Sequence, residues 1–176
     1  MKKMFVVMVG LLLVSFNATA ANQGTLWVFS GKGAANQGDV SKRYSKVYQI
    51  EQEWDIGELR SRVGYLNEGT QPCGNFDEGH SCKRDGLYYM AVAPHRFNPR
   101  LETAFSFGPY LYNETDELNS QYKIKYGVSL QLALSMTYKV SERMATQVRF
   151  QHDEFSTDGR ATDEFFIGFG YTPESW

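Results

Sequence analysis

From Tyr122 to Tyr138 the chain alternates without a break, and this stretch constrains the fold more than any other. The even positions are Tyr122, Ile124, Tyr126, Val128, Leu130, Leu132, Leu134, Met136 and Tyr138, all apolar or aromatic. The odd positions between them are Lys123, Lys125, Gly127, Ser129, Gln131, Ala133, Ser135 and Thr137, which are charged, polar or small. A period of two puts these sets on opposite faces of a β-strand. The run is longer than strands of soluble domains usually are, and longer than the ~9 to 11 residues with which a tilted strand crosses a bilayer. Tyrosines bound an aliphatic stripe, as in the aromatic girdles of membrane barrels.

The same rhythm recurs along the chain. Leu101, Thr103, Phe105, Phe107 and Leu111 form a second greasy face, and Phe165, Ile167, Phe169 and Tyr171 a third. No long amphipathic helix interrupts them, so the reading is all-β. The strands fall at 24–31, 42–54, 57–67, 84–95, 99–112, 121–139, 142–155 and 162–172. Short connections near Asp55, Asn98-Pro99 and Val140-Ser141 alternate with longer polar ones at 32–41, 68–83, 113–120 and 156–161. Short turns at one end and long loops at the other predict an eight-stranded antiparallel up-and-down outer-membrane β-barrel with its long loops outside the cell. A secreted soluble β-barrel or sandwich, with the greasy faces turned inward, is the competing architecture.

Export is read from the start of the chain. Lys2 and Lys3 precede the apolar run Met4 to Phe16, and the small residues Ala18, Ala20 and Ala21 follow. That is a signal-peptide pattern over residues 1–21, leaving 22–176 as one barrel domain. Without those two lysines the chain carries 16 basic and 20 acidic side chains, a formal charge of −4. With no basic block, nothing points to nucleic acid. Cys73 and Cys82 flank a polar stretch, and in an oxidising compartment they predict a disulfide that staples the 68–83 loop. A zinc site with the nearby His80 is the alternative, but four ligands at metal spacing are not evident.

Candidate chemistry concentrates in Arg149-Phe150-Gln151-His152-Asp153-Glu154-Phe155-Ser156. Met144, Thr146, Val148 and Phe150 are the greasy face of this strand, and the same parity carries His152, Glu154 and Ser156 to the lipid side. From 142 to 152 the strand rises ~23 Å along the membrane normal at 45° tilt, which sets His152 at the outer rim of the lipid. Either the strand has simply left the membrane there, or histidine, serine and an acid assemble for ester hydrolysis. Asp163 and Glu164 are both candidates for the acid, Asp163 being favoured by sharing the parity of Phe165 and Ile167.

Gly86-Leu87-Tyr88-Tyr89-Met90-Ala91-Val92-Ala93-Pro94, Arg100-Leu101-Glu102-Thr103-Ala104, Arg149-Phe150-Gln151-His152 and Gly168-Phe169-Gly170-Tyr171 together resemble the outer-membrane lipid A 3-O-deacylases. The resemblance covers roughly the second half of the chain. It implies an eight-stranded barrel that is a serine esterase, removing an ester-linked acyl chain from lipopolysaccharide. It also implies a catalytic group of His152, Ser156 and Asp163 or Glu164 on the outer wall, no cofactor or metal, and outer-membrane lipid as the partner. The family pattern has serine two residues after the histidine, whereas Glu154 stands there and the first serine is Ser156. On a regular strand Ser156 is ~13 Å from His152, so a bulge or turn at Phe155 is needed. The second functional reading is a non-enzymatic small barrel of the adhesin or OmpA/OmpX-like type, working through the 68–83 loop and the acidic segment Asn113 to Asn119. Eight strands enclose side chains rather than a water channel, which weighs against a porin.

Overall fold

A computed structural model describes residues 24–36, 44–72, 81–118, 121–155 and 161–173. The expected signal peptide, Cys73, His80 and Ser156 lie outside these residues. Eight strands follow in order: β1 (Thr25–Asn36), β2 (Tyr44–Ile56), β3 (Leu59–Pro72), β4 (Ser81–Arg96), β5 (Leu101–Leu118), β6 (Gln121–Lys139), β7 (Met144–Phe155) and β8 (Ala161–Tyr171). Each pairs antiparallel with the next, and β8 closes on β1.

The greasy faces point outward. Leu130, Leu134, Met136, Phe150, Phe165, Ile167 and Phe169 are exposed, while Gln131, Ser135, Gln147, Arg149, Gln151 and Glu164 are buried inside. A charged interior under an apolar exterior is the reverse of a soluble barrel, and lipid is the solvent it suits.

Register fixes the height of each residue. Following directly opposed residues from Trp54 leads through Ser61, Ala91, Phe107, Leu132, His152, Asp163 and Ala34 to Tyr44, back on β2 but ten residues further up. A displacement of ten over eight strands implies a tilt of ~40° and a climb of ~3 Å per strand along the barrel axis. On this scale Trp54, Tyr138 and Tyr171 share the inner interface. Lys32, Lys46, Asn67, Asp85, Glu154 and Asp163 then form an outward-facing polar ring roughly 20 Å higher, close to the height of an apolar membrane band.

The lumen is filled in tiers. At the inner end Arg60 bonds Glu102 (Nη2 to Oε2, 2.8 Å), Asp55 (2.9 Å) and Glu53 (3.3 Å). In the middle Arg149 forks onto Glu51, with Nη1 to Oε2 at 2.8 Å, and stacks 4.2 Å from the centre of the Phe29 ring. Near the outer end Arg84 pairs with Glu114. Room for inward rings comes from glycines directly opposite. A Cβ on Gly168 would sit 2.1 Å from the Phe29 ring, and one on Gly127 would sit 2.3 Å from that of Tyr112.

One expected loop is not a loop. Residues 113–118 continue β5 and β6 resumes at Gln121, leaving a two-residue connection where a long acidic segment was expected. The polar residues that suggested a loop belong to a ladder: Glu114 lies opposite Lys125, whose Nζ is 4.0 Å from its Oε1. Opposite charges across a strand pair support pairing as well as apolar neighbours do. The β5–β6 hairpin therefore rises above the polar ring by roughly 15 Å.

Candidate functional site

β7 and β8 run regularly side by side, and their register sets His152 directly opposite Asp163. Both side chains point to the outer wall and are about one-third exposed. His152 Nδ1 lies 2.8 Å from Asp163 Oδ1, so the tautomer with its proton on Nδ1 donates to that carboxylate and leaves the Nε2 lone pair free. A carboxylate in this position orients the imidazole, as the acid of a hydrolytic triad does.

Of the two acids left open by the sequence, only Asp163 meets the histidine. Glu164 faces the lumen, where its Oε2 accepts from Gln151 Nε2 at 2.9 Å, and the barrel wall separates it from the imidazole. On the Nε2 side stands Glu154, with Oε2 at 3.9 Å. The β6–β7 ladder keeps one register from Lys139 opposite Ala145 to Ser129 opposite Phe155. No bulge within it folds the chain back toward His152.

Beside this pair, β1, β2 and β8 frame an outer-wall groove of about 770 Å³. Lys32 and Lys46 lie directly opposite each other in it, flanked by Tyr44, Tyr48, Phe150, Phe165 and Asp163. Like charges directly opposed are unfavourable unless an anion lies between them. At headgroup level over an apolar wall, the pair suits a phosphorylated amphiphile. Sequence reading passed over both lysines, although their parity matches that of the outward residues Val28, Tyr48 and Ile50.

No protein-family model matches this sequence, and no curated relative matches it. Solved structures do match. Neisserial surface protein A superposes with a TM-score of 0.73 at 10% identity, covering 85% of this chain and 97% of that one. The fold is that of a small outer-membrane barrel. Ail, the attachment invasion locus protein of Yersinia pestis, gives 0.64 at 8% identity, over 85% of this chain and 97% of its own. The N-terminal β-barrel domain of Pseudomonas aeruginosa OprF gives 0.59 at 11%, over 85% and 99%. At such identities the likeness is one of fold.

Proposed function

We propose that this chain is a non-enzymatic surface barrel of the outer membrane that binds a macromolecular partner with the part of its wall standing above the lipid. The observation that carries this reading is the outward stripe of β6, which stays apolar past the polar ring. Tyr126 and Ile124 are 76% and 60% exposed, at heights above that ring. Tyr126 and Val128 also form the upper edge of a cleft of about 400 Å³ that runs down the wall across β3 to β6, past Tyr65, Leu87 and Leu111. Apolar surface gathered outside the lipid marks an interaction site. Attachment, the activity for which Ail is named, is of the kind this surface suits. The test is adhesion of cells displaying the barrel to immobilised extracellular-matrix protein. Wild-type barrel is expected to raise adhesion over an empty-vector control, and Ile124→Ser with Tyr126→Ser to return it to control while surface display is unchanged. Equal adhesion by variant and wild type would sink the reading.

The His152–Asp163 contact favours a second reading, hydrolysis of an ester-linked acyl chain of lipopolysaccharide. Here Ser156 Oγ would give its proton to His152 Nε2 and attack the acyl carbonyl. The ester bond would break as the lipid oxygen leaves with the proton held on His152, and water, deprotonated by His152, would then free the fatty acid and restore Ser156, with the Lys32 and Lys46 ammonium groups holding the lipid phosphate. Mass spectrometry of lipid A decides between the readings. Loss of one acyl chain with wild-type protein but not with His152→Ala would establish hydrolysis; an unaltered lipid A with wild-type protein rejects it.

A further inference from the structure

The outer half of the lumen holds three carboxylates brought together from three strands. Glu68 of β3, Asp153 of β7 and Glu164 of β8 each offer an oxygen, all within 4.8 Å of one another. They are 0%, 0% and 1% exposed. Glu68 is the extra residue of a bulge at which the β3–β4 register slips between Asn67 and Gly69, with Gly69 at a φ of +70°. Bulges re-aim side chains, and this one adds a carboxylate to a crowded site. Among the described residues, the charges facing this part of the lumen are these three acids and Glu114, against Arg84 and Lys125. Arg84 pairs with Glu114, Lys125 Nζ lies 4.0 Å from the same residue, and Arg149 one tier below is committed to Glu51. Three carboxylates crowded together out of bulk water are a costly arrangement, and a cation between them would relieve it.

Uncharged oxygens point to what compensates it. Tyr110 is fully buried, and its strongest charged neighbours are Glu68, Asp153 and Glu164. Its hydroxyl nevertheless has no hydrogen-bond partner. A phenol that close to carboxylates would donate to one if they touched, so a gap separates them. Gln131 and Gln151, also fully buried, each direct Nε2 at Asp153, at 3.1 and 3.3 Å. The amide oxygens of both lack partners. Turning either amide over would exchange Nε2 for Oε1 beside the acids. Three carboxylate, two amide and one phenolic oxygen make six hard donors, within the range calcium takes. Magnesium keeps several waters and is seldom held in an all-protein cage, so six protein oxygens favour calcium. The donors include no sulfur or imidazole, which disfavours zinc.

We infer that a calcium ion binds inside the barrel between Glu68, Asp153 and Glu164, tying β3 to β7 and β8 across the lumen. The sequence shows no metal spacing because each carboxylate comes from a different strand and they meet only on closure. The experiment uses barrel folded in detergent micelles, stripped with EDTA and titrated with calcium chloride by calorimetry, with thermal unfolding followed in parallel. Wild type is expected to bind one calcium per barrel and to unfold at a higher temperature when loaded. Asp153→Asn with Glu164→Gln should weaken binding at least ~10-fold and remove the thermal shift, while matching or exceeding wild-type stability in EDTA because like charges are gone. Tyr110→Phe and Gln151→Leu keep every charge and should each weaken calcium binding severalfold. They carry the test if the double variant does not fold. Absence of saturable calcium binding by wild type, a magnesium preference, or unchanged affinity in these variants would each overturn the inference. The experiment involves neither adhesion nor lipid hydrolysis, so its outcome is separate from theirs.

Discussion

Replacing Arg149 by methionine is expected to remove about 3 to 5 kcal/mol of stability, read as a fall in the urea midpoint of barrel folded into lipid vesicles. The guanidinium is buried in the middle tier and its bonds are nearly saturated. It forks onto Glu51, reaches Gln49 Oε1 at 3.1 Å, and meets Gln147 Oε1 through Nε at 3.1 Å and Nη2 at 2.7 Å. Methionine fills similar volume but leaves Glu51 inside the barrel with a hydrogen bond from Tyr88 and a weaker share of Arg62, whose Nε is 3.3 Å away and closer to Glu53. The cost comes chiefly from that abandoned carboxylate, since a buried pair itself contributes little net stability. Arg149→Met combined with Glu51→Gln should therefore lose clearly less than the sum of the single changes. Arg149→Lys keeps the charge but not the planar fork, and should fall between wild type and methionine. A loss below about 1 kcal/mol for Arg149→Met would mean that the lumen is hydrated enough to solvate Glu51.

This network shows where sequence reading reaches and where it stops. Parity along a strand is local, so the outward face of β6 and the outward parity shared by His152 and Asp163 are both legible from alternation. Partners across the lumen are not local. Arg149 meets Glu51, and Glu68 meets Asp153, only because the barrel closes with a displacement of ten residues, a quantity no single strand carries. The acidic stretch after Asn113 was misread for a related reason. Its charges look like solvated loop until Lys125 is seen opposite Glu114. The expected Cys73–Cys82 bridge and the approach of Ser156 to His152 turn on residues outside those described. The hydrolytic reading thus has its histidine and acid in contact but lacks a placed nucleophile.

Placement in lipid has its own consequence, which separates the height scale from mere alternation. Leu134 is 61% exposed on β6, two residues below Leu132 along the strand. The climb from Trp54 sets it roughly midway between the inner aromatic residues and the outer polar ring. Tyr126, on the same face of the same strand, stands above that ring. Leu134→Arg should therefore cost about 2 to 4 kcal/mol in vesicles, and Tyr126→Arg about 0 to 1 kcal/mol, because the penalty for a lipid-facing charge falls steeply from midplane to interface. Hydrophobicity alone predicts comparable penalties for two exposed apolar sites. Depth in the bilayer predicts a large difference, and in detergent, where the charged group can recruit water, the difference should shrink. Equal penalties in vesicles would mean that the hairpin is submerged. The apolar wall around Tyr126 would then be lipid contact, and it could no longer serve as a surface for a partner.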